Sequence, residues 1–405
     1  MIFDIHCHSS LKQFVFGDNI THHHPILFPD LLPFGMHADL HSLEKGGVKI
    51  IMCTHYLPEY EFRNATVLGI PARWLIDTFE ALKKIAENRS TPDEPFNQTL
   101  RIIQNFENEI EEAREKKGFN VSIAKNMIEL KQQLSRNSTV FLHSIEGAHS
   151  LGYKLSYDQI KNHLDKLIEL GLCQFTIAHF FDNSIVPSQG GIPPSLRNDL
   201  KLNNAPDPNK GLTEIGEKVV EYLLDKGIII DLVHCTPKAR KDILDINNER
   251  TNPKPIVLSH TGLRSLASKG DIQKYPHDLE YLPSDEEVKE IIKTEGVIGV
   301  IFMNYWVNGT EEHNLLKHEI GIPDIIKTMQ KIRDLEKEVD SKYDCDHISI
   351  GTDFDGFTEV PDDLVSAENM KDLITSLKNS DFNSEQIEKI SWRNYMRVLE
   401  RGWQV

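Results

Sequence analysis

The chain is poor in cysteine, short of basic charge and without a long apolar run. Its five cysteines, at positions 7, 53, 173, 235 and 345, are scattered and odd in number, with no C-x-x-C pair. That excludes a disulfide scaffold and reads as reduced thiols in a cytoplasmic protein. Lys and Arg number 45 against 62 Asp and Glu, a formal net charge of −17 over 405 residues. Such a balance argues against a nucleic-acid partner, whose phosphates demand a basic surface. No run approaches the ~18 apolar residues of a membrane helix, and the longest, 296–302, reads as a buried strand, so no membrane partner is expected. The opening residues, Met1 to His6, show neither the charged nor the apolar region of a signal peptide, and the last five show no anchor signal. Absence of G-x-G-x-x-G and of a P-loop leaves nucleotide binding without support.

What is present is enough for a substantial core: 39% of residues are apolar and 26% charged. Eight short apolar, β-branched runs recur, at 2–7, 48–53, 139–145, 172–178, 227–233, 255–259, 296–302 and 347–352. Most are continuously apolar, as strands of a parallel sheet covered on both faces should be. Amphipathic stretches lie between them. Residues 160–170 keep Ile160, Leu164, Leu167 and Ile168 on one face; 213–225 opens on Thr, 237–246 on Pro, and 284–294 on Ser before acidic residues. Eight strands alternating with helices predict an α/β fold, a (β/α)8 TIM barrel of the metal-dependent hydrolase type. The whole chain, 1–405, reads as one such domain. A polar insertion at about 74–136, after strand two, reads as solvated helices, and 180–210 as a long loop following strand four.

The chemistry gathers at strand ends. Asp4-Ile5-His6-Cys7-His8 places two imidazoles at i and i+2, on one face of a strand. Strand three ends in Glu146 before Gly147, where a carboxylate is costly to bury unless it is paired or bound to metal; capping the next helix is the alternative. Strand four ends in His179, five in Asp231 and His234, six in Ser259-His260, and eight in Thr352-Asp353-Phe354-Asp355-Gly356. Singly each histidine reads as a satisfied core residue. Together they share the C-terminal ends of barrel strands, where such enzymes keep their catalytic groups. Five imidazoles and two carboxylates there make a metal site of N and O ligands, most simply zinc. Other residues read more plainly. His55 and Tyr56 are expected as mouth packing, His22-His23-His24 as a mouth loop, His37 and His41 as surface or packing, and Cys7 and Cys235 as core.

These residues, with Thr176-Ile177-Ala178-His179, His149 after Glu146-Gly147, Gly211-Leu212-Thr213, Gly216 and Val219-Val220, and the closing stretch 380–402 with Asn394 and Arg397-Val398-Leu399, resemble the membrane (renal) dipeptidase family of the amidohydrolase superfamily. The resemblance spans nearly the whole chain. It implies two zinc ions bridged by Glu146, with water between them attacking the amide of a dipeptide. By position, His234 and His260 hold one metal; His6, His8 and Asp353 belong to the other. Asp353 takes the proton of the attacking water, and His179, as a neutral imidazole, contacts substrate and donates to the developing oxyanion. A homodimer is the family habit. Two departures stand out. The family's His-x-Asp is here His6-x-His8, and the arginine that holds a dipeptide's carboxylate is replaced near Asp271, leaving Arg264 or Lys269 as substitutes. The reading is therefore a zinc-dependent dipeptidase acting on a small-molecule or dipeptide substrate. The rivals are another amidohydrolase reaction, such as deacetylation or opening of a cyclic amide or lactone, and a non-catalytic barrel.

Overall fold

A computed structural model describes residues 1–23, 35–67, 70–71, 83, 87–202, 204–308, 320–356, 360–361 and 363–403. Eight parallel strands close a barrel: β1 (Ile2–Cys7), β2 (Val48–Tyr56), β3 (Thr139–Glu146), β4 (Leu172–Thr176), β5 (Ile229–Asp231), β6 (Ile256–Thr261), β7 (Ile298–Val300) and β8 (Ile348–Ile350). β1 pairs with β8 and β2, and β2 with β3, so the sheet returns on itself. Each expected apolar run contributes a strand. Several strands are shorter than their runs because the chain turns early: His234 and Asp353, beyond β5 and β8, adopt left-handed backbone with φ of 65° and 59°. A further strand, Val121–Ile123, pairs beside the first half of β3, while residues 143–146 of β3 pair with β4.

The N-terminal ends of the strands are sealed. Phe3, Ile50, Val140, Cys173, Ile229, Val257 and Val297 form one apolar cluster with Tyr395, Val398, Leu399 and Trp403. Tyr395, Val398 and Leu399 lie on the terminal helix Asn394–Gly402 and Trp403 caps its end, and Tyr395 meets Phe3 edge-on at 5.0 Å between ring centres. Apolar closure at that end leaves the opposite mouth for polar groups. The closing stretch is not one continuous helix: Ser384–Glu388 passes through a π-helical turn, Lys389–Arg393, before the terminal helix. There the Asn394 amide donates to the carbonyls of Cys345 and Ile348, at 2.7 and 2.8 Å, tying the helix to β8. Such a turn commonly marks a place where a side chain must be re-aimed.

The surrounding helices start where capping chemistry allows. Tyr157–Glu169 and Asp285–Lys293 open with capping boxes, Ser156 with Gln159 and Ser284 with Glu287. Thr213 and Thr236 cap Glu214–Asp225 and Pro237–Asn248. Each such cap stabilises its helix by about 1 kcal/mol. The long loop after β4 contains a short helix, Pro194–Asp199, which lacks enough turns to show a period in sequence. No described helix is long and apolar enough to cross a membrane.

The stretch expected as solvated helices is different in kind. Of residues 74–86 only 83 is described, but Glu94–Lys117 forms a long helix, α1, that buries Phe96, Ile102, Ile103, Phe106, Ile110 and Ala113 along one stripe. Its charged face hides the period-3.6 pattern that packs it on β2 and β3, with Phe106 lying 5.2 Å from Phe141.

Glu109 lies on that buried stripe and accepts the Ile20 N–H at 2.8 Å. Burial pushes its carboxyl up to about 7, against that hydrogen bond and the charge of Lys117. A raised carboxyl stabilises the fold only while protonated, so its contribution is complete below the unfolded value of 4.5 and lost as pH climbs through 7. Glu109→Gln keeps the acceptor and removes the charge. The expected variant matches wild type at about pH 4 and exceeds it at about pH 8, by on the order of 3 kcal/mol in urea unfolding. A difference that does not grow with pH contradicts this account of the buried carboxyl.

Candidate metal centre

Glu146, the last residue of β3, is 1% exposed and stands amid the imidazoles. Its Oε1 lies 3.6, 3.5 and 3.6 Å from the Nε2 atoms of His6, His234 and His260. Its Oε2 lies 3.2 Å from His8 Nε2 and 3.6 Å from His179 Nε2. The i, i+2 pair at the end of β1 brings His6 and His8 Nε2 within 3.2 Å of each other. Asp353 Oδ1 is 3.1 Å from His8 Nε2 and 3.7 Å from His6 Nε2. Two ligand triads result, His6–His8–Asp353 and Glu146–His234–His260, each with its ligand atoms within 4.8 Å of one another.

Three non-glycine residues here hold left-handed backbone: His234, Asp353 and Asp355, with φ of 65°, 59° and 67°. Such conformations persist only where the surroundings over-determine them. Asp355 supplies part of that constraint, accepting the His37 and Ala38 N–H groups at 2.8 and 3.1 Å and pairing with buried Lys12 at 3.1 Å. Upstream, the Asp353 N–H donates to the His6 carbonyl at 3.0 Å, which locks the turn after β8 onto β1.

The donor set fits a divalent cation. Glu146 Oε1 is buried with no hydrogen-bond partner among the described residues. Burial pushes His8 down, yet its bonds to Asp353 and Glu146 outweigh this and lift it to about 10. Burial pushes Glu146 up, and the charges of the surrounding imidazoles, His179 and His6 foremost, bring it well below the usual carboxylate range. The centre thus demands positive charge between its carboxylates, and imidazole nitrogen with carboxylate oxygen is the set that zinc accepts. Behind His234, Nδ1 donates to the Gly190 carbonyl at 2.5 Å, which turns Nε2 toward Glu146.

His179 reaches the cluster with an unanticipated partner. Its Nδ1 lies 2.8 Å from Oε1 of Glu59, a residue 1% exposed, which also accepts the Phe180 N–H at 3.0 Å and the Tyr56 hydroxyl. Burial pushes Glu59 up, but the neighbouring His179 and His149 and the hydrogen bonds bring it to about 2. The neutral ring expected of His179 agrees with its burial, while its expected role as donor to an oxyanion is altered by this partner. With Nδ1–H committed to Glu59, a neutral ring shows Nε2 as a lone pair, and only the imidazolium donates there. Burial lowers His179 itself, with Glu59 and Glu146 opposing. Glu59 sits six residues beyond the strand-two apolar run, in Leu57-Pro58-Glu59, where no spacing or motif marks it.

The remaining expected residues fall elsewhere. Arg264 donates to Glu280 at 3.3 Å and to the Pro276 carbonyl at 3.0 Å, so its guanidinium fixes its own loop. Lys269 is exposed at the start of the short helix Lys269–Lys274. The structure brings neither into the cluster. Tyr56 lines the mouth, 4.4 Å from the His179 ring, whereas His55 points away and bonds Ser10 and His143 at 2.9 and 2.8 Å. His22 and His23 are exposed, and His24 lies outside the described residues. The His37 ring donates from Nδ1 to the Val365 carbonyl at 2.6 Å and stacks on Phe354. All five cysteines are free and buried.

Known proteins place this geometry in a lineage. An uncharacterised protein in the pqqA 5′ region of Klebsiella pneumoniae is 26% identical over 200 residues, 49% of this chain and 64% of that protein. Dipeptidase tcpJ of Claviceps purpurea is 25% identical over 258 residues, 64% of this chain and 50% of that protein. The matched region thus spans less than two thirds of the length of either relative. Among solved structures, a metallopeptidase of Rhodobacter sphaeroides liganded with a phosphinate mimic of the dipeptide L-Ala-D-Ala superposes with a TM-score of 0.71 at 17% identity, covering 99% of both chains. At that identity the likeness shows the barrel fold. The family model for membrane dipeptidase (peptidase family M19) matches residues 30–404, and the chain belongs to that family.

Proposed function

We propose that this chain is a metal-dependent hydrolase of small amides, dipeptides above all, working with two zinc ions bridged by Glu146. The observation that carries the reading is the buried Glu146 carboxylate, grouped with His234 and His260 and also facing His6 and His8 of the second triad. His6, His8 and Asp353 would hold one ion, and His234 and His260 the other. When bound, such a pair of cations lowers the pKa of the water it shares and polarises the amide carbonyl.

The chain's own groups do the rest. Asp353 is the more accessible of the two carboxylates, 8% exposed against 1% for Glu146, and is the one able to meet a proton. It takes the proton of the attacking water and returns it to the leaving amine. His179, held by Glu59, faces Glu146 from the side of β4, where its ring contacts and orients the amide. Trp306 stacks 5.8 Å from His260 and meets His234 at 5.3 Å, covering that flank of the centre with apolar surface.

A specific observation favours a second reading. Arg264 is engaged with Glu280 and Pro276, and Lys269 points to solvent, so neither substitute for the family's arginine meets a substrate carboxylate. That placement suits an amide or lactone without a free carboxylate.

A dipeptide panel with zinc-reconstituted protein separates the two readings, each free acid paired with its amidated form and a chelator-treated control. Chelator-sensitive cleavage that weakens on amidation is the expected result; equal or better cleavage of the amidated forms supports the second reading. No cleavage of any member by protein that holds two ions contradicts the dipeptide reading and leaves the metal site standing. Asp353→Asn is expected to lower turnover at least ~100-fold, with the fold retained by circular dichroism. Glu59→Gln keeps the shape beside His179 and removes its charge partner. It is expected to lower kcat/KM about 100-fold at unchanged metal content, and an effect under about threefold removes Glu59 from the mechanism.

A further inference from the structure

Ser259 precedes His260 on β6, and its hydroxyl is the meeting point of three buried groups. Oγ lies 2.5 Å from Asp231 Oδ2, 3.0 Å from His6 Nδ1 and 2.8 Å from His260 Nδ1. We propose that Ser259 is a positioning residue shared by both metal sites, one hydroxyl setting the tautomer of a ligand on each. The proposal rests on the dinuclear reading above.

Hydrogen-bond valence carries the argument. A hydroxyl has one proton to give and two lone pairs to receive. Asp231 already accepts the Ser259 N–H at 2.9 Å on Oδ1 and the Thr176 hydroxyl at 2.5 Å on Oδ2. A carboxylate so placed claims the serine proton, since two facing acceptors at 2.5 Å would repel. The serine oxygen is then left as acceptor to both rings, and each Nδ1 must carry hydrogen. Both Nε2 atoms therefore present lone pairs, and both lie 3.6 Å from Glu146 Oε1. His6 belongs to one triad and His260 to the other, so a single proton position orients a ligand of each.

The grouping His6–Asp231–His260 also has metal-ligand spacing. The serine hydroxyl bonded to all three members makes it an orienting network instead. Nor can β6 move away from it. A Cβ placed on Gly299 or on Gly351 would lie 1.9 or 1.8 Å from the Ser259 carbonyl oxygen, so β7 and the turn after β8 close in on this residue's backbone. Two bonds to one carboxylate, from N and from Oγ, fix its side-chain rotamer.

The test is zinc titration of the metal-free full chain against a chromophoric chelator, reading two dissociation constants. Losing an outer partner of a metal-bound histidine costs about 10- to 100-fold in affinity. Ser259→Ala is expected to weaken both binding steps by that factor, with near-ultraviolet circular dichroism unchanged. Ser259→Thr, which restores the hydroxyl, is expected to recover both steps to within about threefold. Thr176→Val removes a hydroxyl from the same carboxylate but from neither imidazole, and is expected to leave both steps within that range. Weakening of one step only, or of neither, in Ser259→Ala overturns the shared role. A wild type that takes up a single ion overturns the dinuclear reading and the shared role with it.

Discussion

A carboxylate held almost out of water by five imidazoles is the constraint on which the rest of this molecule turns. Removing a charge from water costs several kcal/mol even after relaxation, and Glu146 is 1% exposed with one oxygen lacking any hydrogen-bond partner among the described residues. The barrel meets that cost by register. β3 is long, pairing with β2 so that Glu146 stands opposite Tyr56 and with β4 so that it stands opposite Thr176. That pairing carries one carboxylate to the height at which strands β1, β4, β5 and β6 deliver their histidines. The mouth gathers charge because the other end is plugged by Tyr395, Leu399 and Trp403.

Around the centre lies a layer of groups whose work is to aim the inner ones. Glu59 holds His179, Gly190 holds His234, and the Asp231–Ser259 pair stands behind His6 and His260. Asp4 accepts the Thr352 N–H and hydroxyl at 3.0 and 2.6 Å, which joins β1 to the turn that presents Asp353. Burial raises Asp4 to about 6 against those bonds, a sign of how much desolvation the joint absorbs. Lys12 and Asp355 form a second buried joint one turn away. Buried pairs of this kind add little net stability, while loss of one partner is costly, so they act as constraints on geometry. The left-handed residues His234, Asp353 and Asp355 are the backbone record of that constraint.

Much of this was legible in the sequence, for identifiable reasons. Continuous apolar runs mark strands covered on both faces, and all eight barrel strands lie within or beside such runs. The residues at the ends of those runs include every member of the two triads, because strand ends are where a barrel exposes chemistry. What escaped was whatever depends on long-range placement. Glu59 is an ordinary acid in a loop until β4 brings His179 against it. The buried stripe of α1 is masked by the many charges on its other face. Arg264 read as a substrate contact because sequence order places it just after His260, whereas the fold folds its loop back onto Glu280. A local pattern reveals which face a residue takes on its own element; it does not reveal which neighbour arrives there.

The central claim is that two cations share Glu146, and locating them is the most direct test. Crystals of zinc-reconstituted protein, with diffraction recorded on both sides of the zinc absorption edge, give the number and place of the ions at once. Two anomalous peaks flanking Glu146, one against His6, His8 and Asp353 and the other against His234 and His260, are the expected result. A single peak, or a peak seated at Asp231 in place of the Ser259 hydroxyl, would contradict it.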